Sequence, residues 1–591
     1  MSSPTLTITE KLSRLRAVLK KEGVGGFLIP RADEYQGEYI PDSANRLRWM
    51  SGFTGSAGIA VVLADKAAVL SDGRYTIQLG REIDAGVFET GDITKQSAGE
   101  WIVKNAPDAL IGYDPKLHTP REIAAFKDRG IELKPLSRNP VDAVWEGRPE
   151  APASPVENFP LEYAGHIAAE KLEALAMALK ESKAEAAIIS LSDSIAWLLN
   201  IRARDIAHIP VALSYGIAYD DGSFDWFIDE KRVGGDVREA LGRDVRIHPP
   251  AMLEEKIAAL RGRAVLLDER RASVWFAERL DAAGAKRIDE KDPVILFKAR
   301  KNRAEQAAMR AAHLRDGVAV TKFLHWFARE SVREKLTELD VEQKLEAFRK
   351  EAPEYREASF DTIAGFGANG AIVHYRATPE TNALIERWNL LLLDSGAQYA
   401  DGTTDITRTM AVGAPSEEMR ENYTAVLKGH IAVASARFPE GTTGAQIDAL
   451  ARAPLWQRGL DYAHGTGHGV GCYLSVHEES ASISPRGQEA LRAGMILSNE
   501  PGYYKEGAYG IRLENLLLVR EDGICAATGR KMLCFETLTL APFDKALIVP
   551  ELLSADEAFW LASYHKAVFA ELSPYLDEEA RAWLGEQVAA A

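Results

Sequence analysis

DSGAQYADGTTDITRT, residues 394–409, is the stretch from which the rest of the chain can be read. Asp394 ends an apolar strand, and Asp405 opens a second strand-like run after an Asp401-Gly402 turn. A hairpin of this kind brings the ends of two neighbouring strands together and aims both carboxylates into one pocket. Two close carboxylates repel unless a cation or a proton lies between them. On their own, such a pair is more often two turn-forming aspartates. Further ligands elsewhere in the chain decide between the two readings.

Downstream, HGTGHGVG (464–471) displays His464 and His468 among four glycines. The glycines allow close backbone approach, so both imidazoles can stand on a tight turn. The run is not a phosphate loop, because no GK[ST] follows, and it does not satisfy GxGxxG. SNEPGYY (498–504) and GIRLEN (510–515) then supply Glu500 and Glu514. Glu500 follows the apolar run 495–497. Glu514 lies in GIRLENLLLV, where period 2 sets Ile511 and Leu513 opposite Arg512 and Glu514. An ionisable residue in such a run ordinarily faces solvent, so each glutamate alone carries little.

Asp394, Asp405, His468, Glu500 and Glu514 together make four carboxylates and one imidazole. Oxygen-rich ligation with one nitrogen suits divalent manganese, cobalt or zinc. Four negative charges balance two divalent cations, whereas one cation would leave the pocket strongly negative. Two cations a few ångströms apart ionise water near neutral pH.

Composition narrows the setting. A chain of 591 residues suggests two to four domains. A net charge of −16 argues against a nucleic-acid backbone as partner. The N-terminal segment reads as a polar lead into an amphipathic helix, without a secretory signal, and no apolar run is long enough for a membrane span. Cys472, Cys525 and Cys534 show no CxxC spacing, which favours a reducing, cytoplasmic setting.

Pro149, Pro152, Pro155 and Pro160 mark one linker at 146–160, and a weaker break lies at 289–302, before the helix-like run that starts at Arg303. Residues 10–30 (EKLSRLRAVLKKEGVGGFLIP) match residues 170–190 (EKLEALAMALKESKAEAAIIS) at a constant offset of 160. Each reads as an amphipathic helix followed by a short apolar strand, suggesting tandem α/β domains with mixed sheets. In the last third, the helical run 416–437 alternates with strand-like runs such as 390–393 and 516–519. His430 in that helix reads as a surface or core histidine.

In order and spacing, the motifs above, with SGFTGSAG and SDGRY near the start, SDSIAWLLNIR in the middle and ETLTLAPFDKALI near the end, resemble the Xaa-Pro aminopeptidases of the pita-bread metallopeptidase family. The resemblance is to the long, three-domain cytosolic form and covers the whole chain. It implies an α/β (α+β) architecture: a creatinase-like domain over 1–158, a second over 159–300, and a pita-bread catalytic domain over 301–591 ending in a helical tail. It also implies two metal ions, with manganese the usual activator and zinc or cobalt as alternatives, held by Asp394, Asp405, His468, Glu500 and Glu514. Asp405 and Glu514 are the bridging positions.

The same resemblance assigns roles around the metals. His374 and His477 hydrogen-bond the substrate's carbonyls, and Glu500 moves a proton from the nucleophile to the prolyl nitrogen. Arg512 orients a ligand carboxylate, His464 is a proton relay or a turn support, and Arg74 is offered by the N-terminal domain to the substrate's far side. The expected substrates are peptides with proline in second position. Their scissile bond is a tertiary amide without N–H. A cytoplasmic homodimer with no nucleic-acid or membrane partner is expected. Rival readings are a prolidase cutting Xaa-Pro dipeptides, a methionine aminopeptidase, which would lack the extra N-terminal domains, and a non-catalytic binding relative, which would have lost ligands.

Overall fold

The computed structural model describes residues 6–331 and 333–589. The first five residues of the polar lead and the last two of the tail lie outside them. The chain divides into two compact units, one of residues 1–161 and 166–295, the other of 162–165 and 296–591.

The first unit contains two six-stranded sheets. Strands β1 (Gly26–Pro30), β2 (Ile59–Leu63), β3 (Ala67–Ser71), β4 (Glu89–Asp92), β5 (Ile111–Tyr113) and β6 (Leu133–Pro135) run in the order β4-β3-β2-β1-β5-β6. The second sheet comprises β7 (Ala186–Ile189), β8 (Tyr215–Tyr219), β9 (Phe224–Phe227), β10 (Val245–His248), β11 (Ala264–Leu267) and β12 (Lys286–Asp289), in the order β10-β9-β8-β7-β11-β12. Pairing senses also agree. In each sheet the three central strands are antiparallel and the flanking ones parallel. The shared topology is what the 160-residue sequence echo implies. Helix α1 (Ile8–Glu22) precedes β1 as helix α2 (Ala168–Glu181) precedes β7. Both faces of the first sheet are covered. Phe27 and Ile29 pack with Leu12, Leu15 and Leu19 of α1, whereas Leu28 packs with Trp101 and Ile123 on the other side.

The second unit opens with helix α3 (Arg303–Glu330), whose N-cap Asn302 accepts from the amides of Ala304 and Glu305. Helix α4 (Glu338–Arg349) follows. Strands β13 (Asn389–Ser395) and β16 (Ile406–Val412) pair in a three-stranded sheet with residues 363–366. Between them, β14 (Ala397–Tyr399) and β15 (Gly402–Thr403) belong to a separate sheet. A six-stranded sheet holds β17 (Gly467–Gly469), β18 (Glu478–Ile483), β19 (Ile496–Asn499), β21 (Asn515–Ile524) and β22 (Lys531–Thr537), with residues 437–439 at its edge. Strand β20 (Tyr509–Arg512) pairs with residues 502–505. Helices α5 (Glu417–Ala434), α6 (Gly444–Trp456), α7 (Ala555–Leu572) and α8 (Glu578–Val588) complete the unit. Tyr423 and Leu427 of α5 share one core with Val568 and Leu572 of α7 and Leu584 of α8, so the helical tail packs onto this unit. Among the described residues no helix is long and apolar enough to cross a membrane.

Candidate metal centre

The expected hairpin through Asp401-Gly402 is split into two. Strands β14 and β15 form the tight hairpin, and β13 pairs directly with β16, with Asp394 opposite Thr407 and Ser395 opposite Ile406. Gly396 makes the break possible, because a Cβ there would lie 2.1 Å from both Ser359 Oγ and the Thr404 carbonyl. Asp394 and Asp405 thus share one end of the β13–β16 ladder. A second ladder ends beside them. In the β19–β21 pair Asn499 faces Asn515, which sets Glu500 and Glu514 just beyond its last rung. The Glu514 amide donates to the Thr407 carbonyl (3.1 Å), tying the two ladder ends together.

Leu513 and Glu514 lie between strands of different sheets, and Arg512 and Glu514 are each only 1% exposed. The solvated face on which ionisable residues of such a run ordinarily lie is therefore absent at these positions. Both faces are covered, one by the α5–α7 core and the other by the site itself.

Ligand-capable atoms of Asp405, His468 and Glu514 all lie within 4.8 Å of one another. His468 Nε2 stands 3.5 Å from Asp405 Oδ2 and 3.6 Å from Glu500 Oε1. Its Nδ1–H donates to the Gly469 carbonyl (2.9 Å), which leaves the Nε2 lone pair facing the carboxylates. Thr407 Oγ1 donates to Glu514 (2.7 Å), and Ser498 Oγ to Glu500 (3.3 Å). Arg512 Nη2 donates to Asp394 Oδ2 (2.6 Å), while Asp394 Oδ1 is buried with no hydrogen-bond partner.

The electrostatics are those of a site built for cations. Burial and the neighbouring charges of Asp394 and Glu500 hold Asp405 well above the usual carboxylate range. Burial, then Asp405 and Asp394, do the same to Glu514. Glu500 keeps 18% of its side chain open and is pushed up less, to about 7, by burial and by Asp394, with Arg512 opposing. Four carboxylates share one guanidinium, and one buried carboxylate oxygen, Asp394 Oδ1, has no hydrogen-bond partner. Divalent cations fit this donor set.

Of the remaining predicted residues, His477, His374 and His464 lie in the same unit as these carboxylates, and Arg74 lies in the other. The His477 ring lies 4.3 Å from that of His468, and the adjoining Glu478 is buried in contact with Lys301 and 3.6 Å from Lys298. His374 sits half-buried in the turn after the 3-10 helix 367–371, beside Val373, whose carbonyl accepts from Arg512 (3.3 Å). His464 donates through Nδ1 to the Gly465 carbonyl (2.7 Å) and accepts at Nε2 from the Tyr504 hydroxyl (2.8 Å), which in turn accepts from Arg512 (2.7 Å). Arg74 belongs to the first unit, where Asp72 holds it through two bonds of 2.9 and 2.8 Å. Its substrate role rests on the resemblance alone.

Tyr504 and Thr407 were missed as site residues, although both lie inside quoted motifs. Arg452 of α6 was missed for want of any signal. It donates to the carbonyls of Tyr462 and His464 (2.8 and 2.7 Å) and pairs with Asp448, which accepts from Thr466 (2.6 Å). This network fixes the approach to the glycine-rich turn. His430 is a core residue, fully buried, with Nδ1 donating between the carbonyls of Asn499 and Leu513 (3.1 and 3.2 Å).

Comparison with known proteins gives a consistent picture. The model for metallopeptidase family M24 matches residues 307–521, and that for the C-terminal region of the same peptidases matches 531–591. Two models for a creatinase/prolidase N-terminal domain match 11–144 and 147–305. A protein of Paracoccidioides brasiliensis (strain Pb03), named probable Xaa-Pro aminopeptidase P, is 39% identical over 608 residues, spanning 98% of each chain. The crystal structure of X-prolyl aminopeptidase from Caenorhabditis elegans, described as a cytosolic enzyme with a di-nuclear active site, is 32% identical. It covers 99% of this chain and 100% of its own, with a TM-score of 0.94. A prolidase from Thermococcus sibiricus, 22% identical, shares the fold over 63% of this chain, with a TM-score of 0.51.

Proposed function

Because this chain belongs to the Xaa-Pro aminopeptidase P family of M24 metallopeptidases, we propose that it is a dinuclear metallo-aminopeptidase removing the residue before a penultimate proline. The observation that carries this reading is the convergence of Asp394, Asp405, Glu500 and Glu514 at two adjoining ladder ends, with His468 of β17 facing them. Those five residues are the proposed ligands of two divalent ions, with manganese preferred to zinc or cobalt on the strength of the resemblance. Bound there, such ions would activate water and polarise the substrate carbonyl.

The chain's own residues supply the rest. The Gly469 carbonyl fixes the tautomer in which His468 offers Nε2 as a ligand. Thr407 and Arg512 hold Glu514 and Asp394 in orientation through the bonds described above. His477 and His374 are the proposed donors to the carbonyl oxygens flanking the scissile bond, and Glu500 the carrier of the proton destined for the prolyl nitrogen. With its Nε2 taken by Tyr504, His464 supports the Tyr504–Arg512–Asp394 chain rather than relaying protons. A tertiary amide offers no N–H, so a pocket shaped for the ring and lacking an acceptor would discriminate against other second residues. Cytoplasmic residence and a homodimer belong to the same proposal.

The test compares an Xaa-Pro-Xaa tripeptide with the corresponding Xaa-Pro dipeptide, alongside metal analysis of the purified protein. About two divalent ions per chain and cleavage of the tripeptide are expected. Cleavage of the dipeptide alone would make the chain a prolidase, and metal-free protein without hydrolysis would make it a binding relative.

A further inference from the structure

Behind the carboxylates lies a buried cation that ligand and substrate roles leave without a task. Arg408, in β16, is 2% exposed, and its acceptors are all neutral. Nη1 donates to the carbonyls of Thr407 (2.9 Å) and Glu514 (2.8 Å). Nη2 donates to Asn515 Oδ1 (2.9 Å), to the Ala541 carbonyl (2.8 Å) and to the Tyr564 hydroxyl (3.1 Å), and Nε donates to the Pro542 carbonyl (3.0 Å). The Phe543 ring covers one face of the guanidinium at 4.4 Å.

The placement of these acceptors is informative. A single Nη1 grips the two backbones that carry the bridging positions, one two residues past Asp405 and the other at Glu514 itself. The opposite edge of the same rigid plane grips the segment after β22 and helix α7. Tyr564 closes the cage. Its oxygen also accepts from the Ala541 amide (3.2 Å), and its hydroxyl is directed at the Thr539 and Ala541 carbonyls (3.0 and 2.9 Å). A planar fork with five N–H donors, one of those on Nη2 shared, can hold these six oxygens at fixed separations. An ammonium on a flexible stem cannot. Burying a positive charge among neutral acceptors is costly, and here the nearby charge of Glu514 offsets part of that cost.

We propose that Arg408 and Tyr564 form a positioning lock through which the C-terminal segment fixes the spacing of Asp405 and Glu514, and so sets the affinity of the centre for divalent cations. The inference rests on the ligand assignment made above. It gives the C-terminal segment a task in the centre that packing alone does not. Neither residue touches substrate, and both act through the strand ends they hold.

The experiment measures Mn2+ binding to wild-type, Tyr564→Phe and Arg408→Lys proteins by competition with a fluorescent chelator, with thermal melting and steady-state kinetics on the same samples. Tyr564→Phe keeps the ring in its core and is expected to fold. It should bind Mn2+ about tenfold more weakly, and Arg408→Lys about a hundredfold, the range found when groups supporting metal ligands are removed. Turnover of Tyr564→Phe should recover as Mn2+ is raised, with KM unchanged, a response that loss of packing alone would not give. Unchanged Mn2+ affinity in folded Tyr564→Phe, or a lowered melting temperature without any change in affinity, overturns the lock. Should Arg408→Lys fail to fold, Tyr564→Phe decides alone. A wild-type protein that binds no Mn2+ overturns the ligand assignment and the lock with it. Wild-type binding with unaltered variants overturns the lock only.

Discussion

Replacing Gly467 by alanine tests how closely the strands of the centre must approach. A Cβ at Gly467 would lie 1.9 Å from the Ser498 carbonyl oxygen, 2.8 Å from its carbon and 3.3 Å from its Oγ. A carbon and an oxygen rest at about 3.3 Å, so β17 and β19 would have to part by roughly 1.4 Å. The neighbouring His468 amide donates to Ser498 Oγ (2.9 Å), and Glu500 lies two residues beyond Ser498. The shift therefore falls between His468 and Glu500, now 3.6 Å apart. Misplacement by about 1 Å costs on the order of 10²-fold in rate, near 3 kcal/mol of transition-state stabilisation, and the overpacking itself costs about 1–3 kcal/mol of stability. The assay is kcat/KM on an Xaa-Pro-Xaa peptide, with melting followed in parallel. Two controls bracket the effect. At Gly465 a Cβ meets the Ser484 Cβ at 3.2 Å and the Ile483 carbonyl oxygen at an ordinary 3.6 Å, and at Gly235, in the first unit, it meets nothing within 4 Å. Both alanine variants should stay within about threefold of wild type. If Gly467→Ala did so too, with unchanged melting, the claim that β17 is pinned to β19 at this point would be wrong.

Other perturbations probe the surroundings. Glu338, fully buried, accepts from the Phe366 amide (2.7 Å), the Ala383 amide (2.8 Å), Tyr375 (2.9 Å) and Asn369 (3.0 Å), holding the loop that carries His374. Glu338→Gln turns an N–H toward one group of these donors and should cost about 2 kcal/mol in denaturant titration. A cost below about 0.5 kcal/mol would contradict the bonding described. Burial pushes Asp33 in the first unit up to about 7, against two amide donors, Tyr35 and Gly37. The unfolded carboxyl loses its proton near pH 4 and the folded one near 7, so stability contributed by Asp33 falls as pH rises through that window. The full effect is roughly 4 kcal/mol. Asp33→Asn should flatten this slope in melting curves run from pH 4.5 to 7.5, and an unaltered slope would remove Asp33 as its source. Removing divalent cations should lower the melting temperature of the second unit, since ions held at about 1,000 times their Kd contribute about 4 kcal/mol. Equal melting with and without chelator would speak against a loaded centre.

Much of this architecture was legible because glycine, proline and charge stand where the backbone demands them. The paired helix–strand runs at 10–30 and 170–190 anticipate tandem α/β domains with mixed sheets, and the structure adds that the two sheets share one strand order. Asp394, Asp405, His468, Glu500 and Glu514 were each readable next to a turn or strand end. What stayed hidden depends on pairing across long separations. Nothing near Gly396 announces that the strand will change sheets there, because the clash that forbids a side chain comes from Ser359 and Thr404. The period-2 alternation in GIRLEN held, with Ile511 and Leu513 in the core and Arg512 and Glu514 on the side of the site, but it could not tell a solvated face from a buried one. Alternation locates a solvated face only where one side of a strand is open, and Arg512 and Glu514 face a buried site. Arg452 looks like an ordinary helix arginine until helix α6 is laid against the histidine turn.

The distribution of charge explains why such a centre needs so many supporting bonds. Mutual repulsion and burial oppose the ionised forms of Asp405, Glu500 and Glu514, so without cations the two ladder ends are under pressure to separate. Contacts along the ladders resist that pressure: the Glu514 amide on Thr407, the Thr407 hydroxyl on Glu514, the His468 amide on Ser498, and Arg408 on the carbonyls of Thr407 and Glu514. Arg512 counters it at Asp394. Bound divalent cations would reverse the sign of the interaction, turning repulsion into the force that draws the ends together. Metal binding and the closing of these strands are then one equilibrium rather than two. It follows that variants which remove bonds between the ladder ends should be read first in cation affinity.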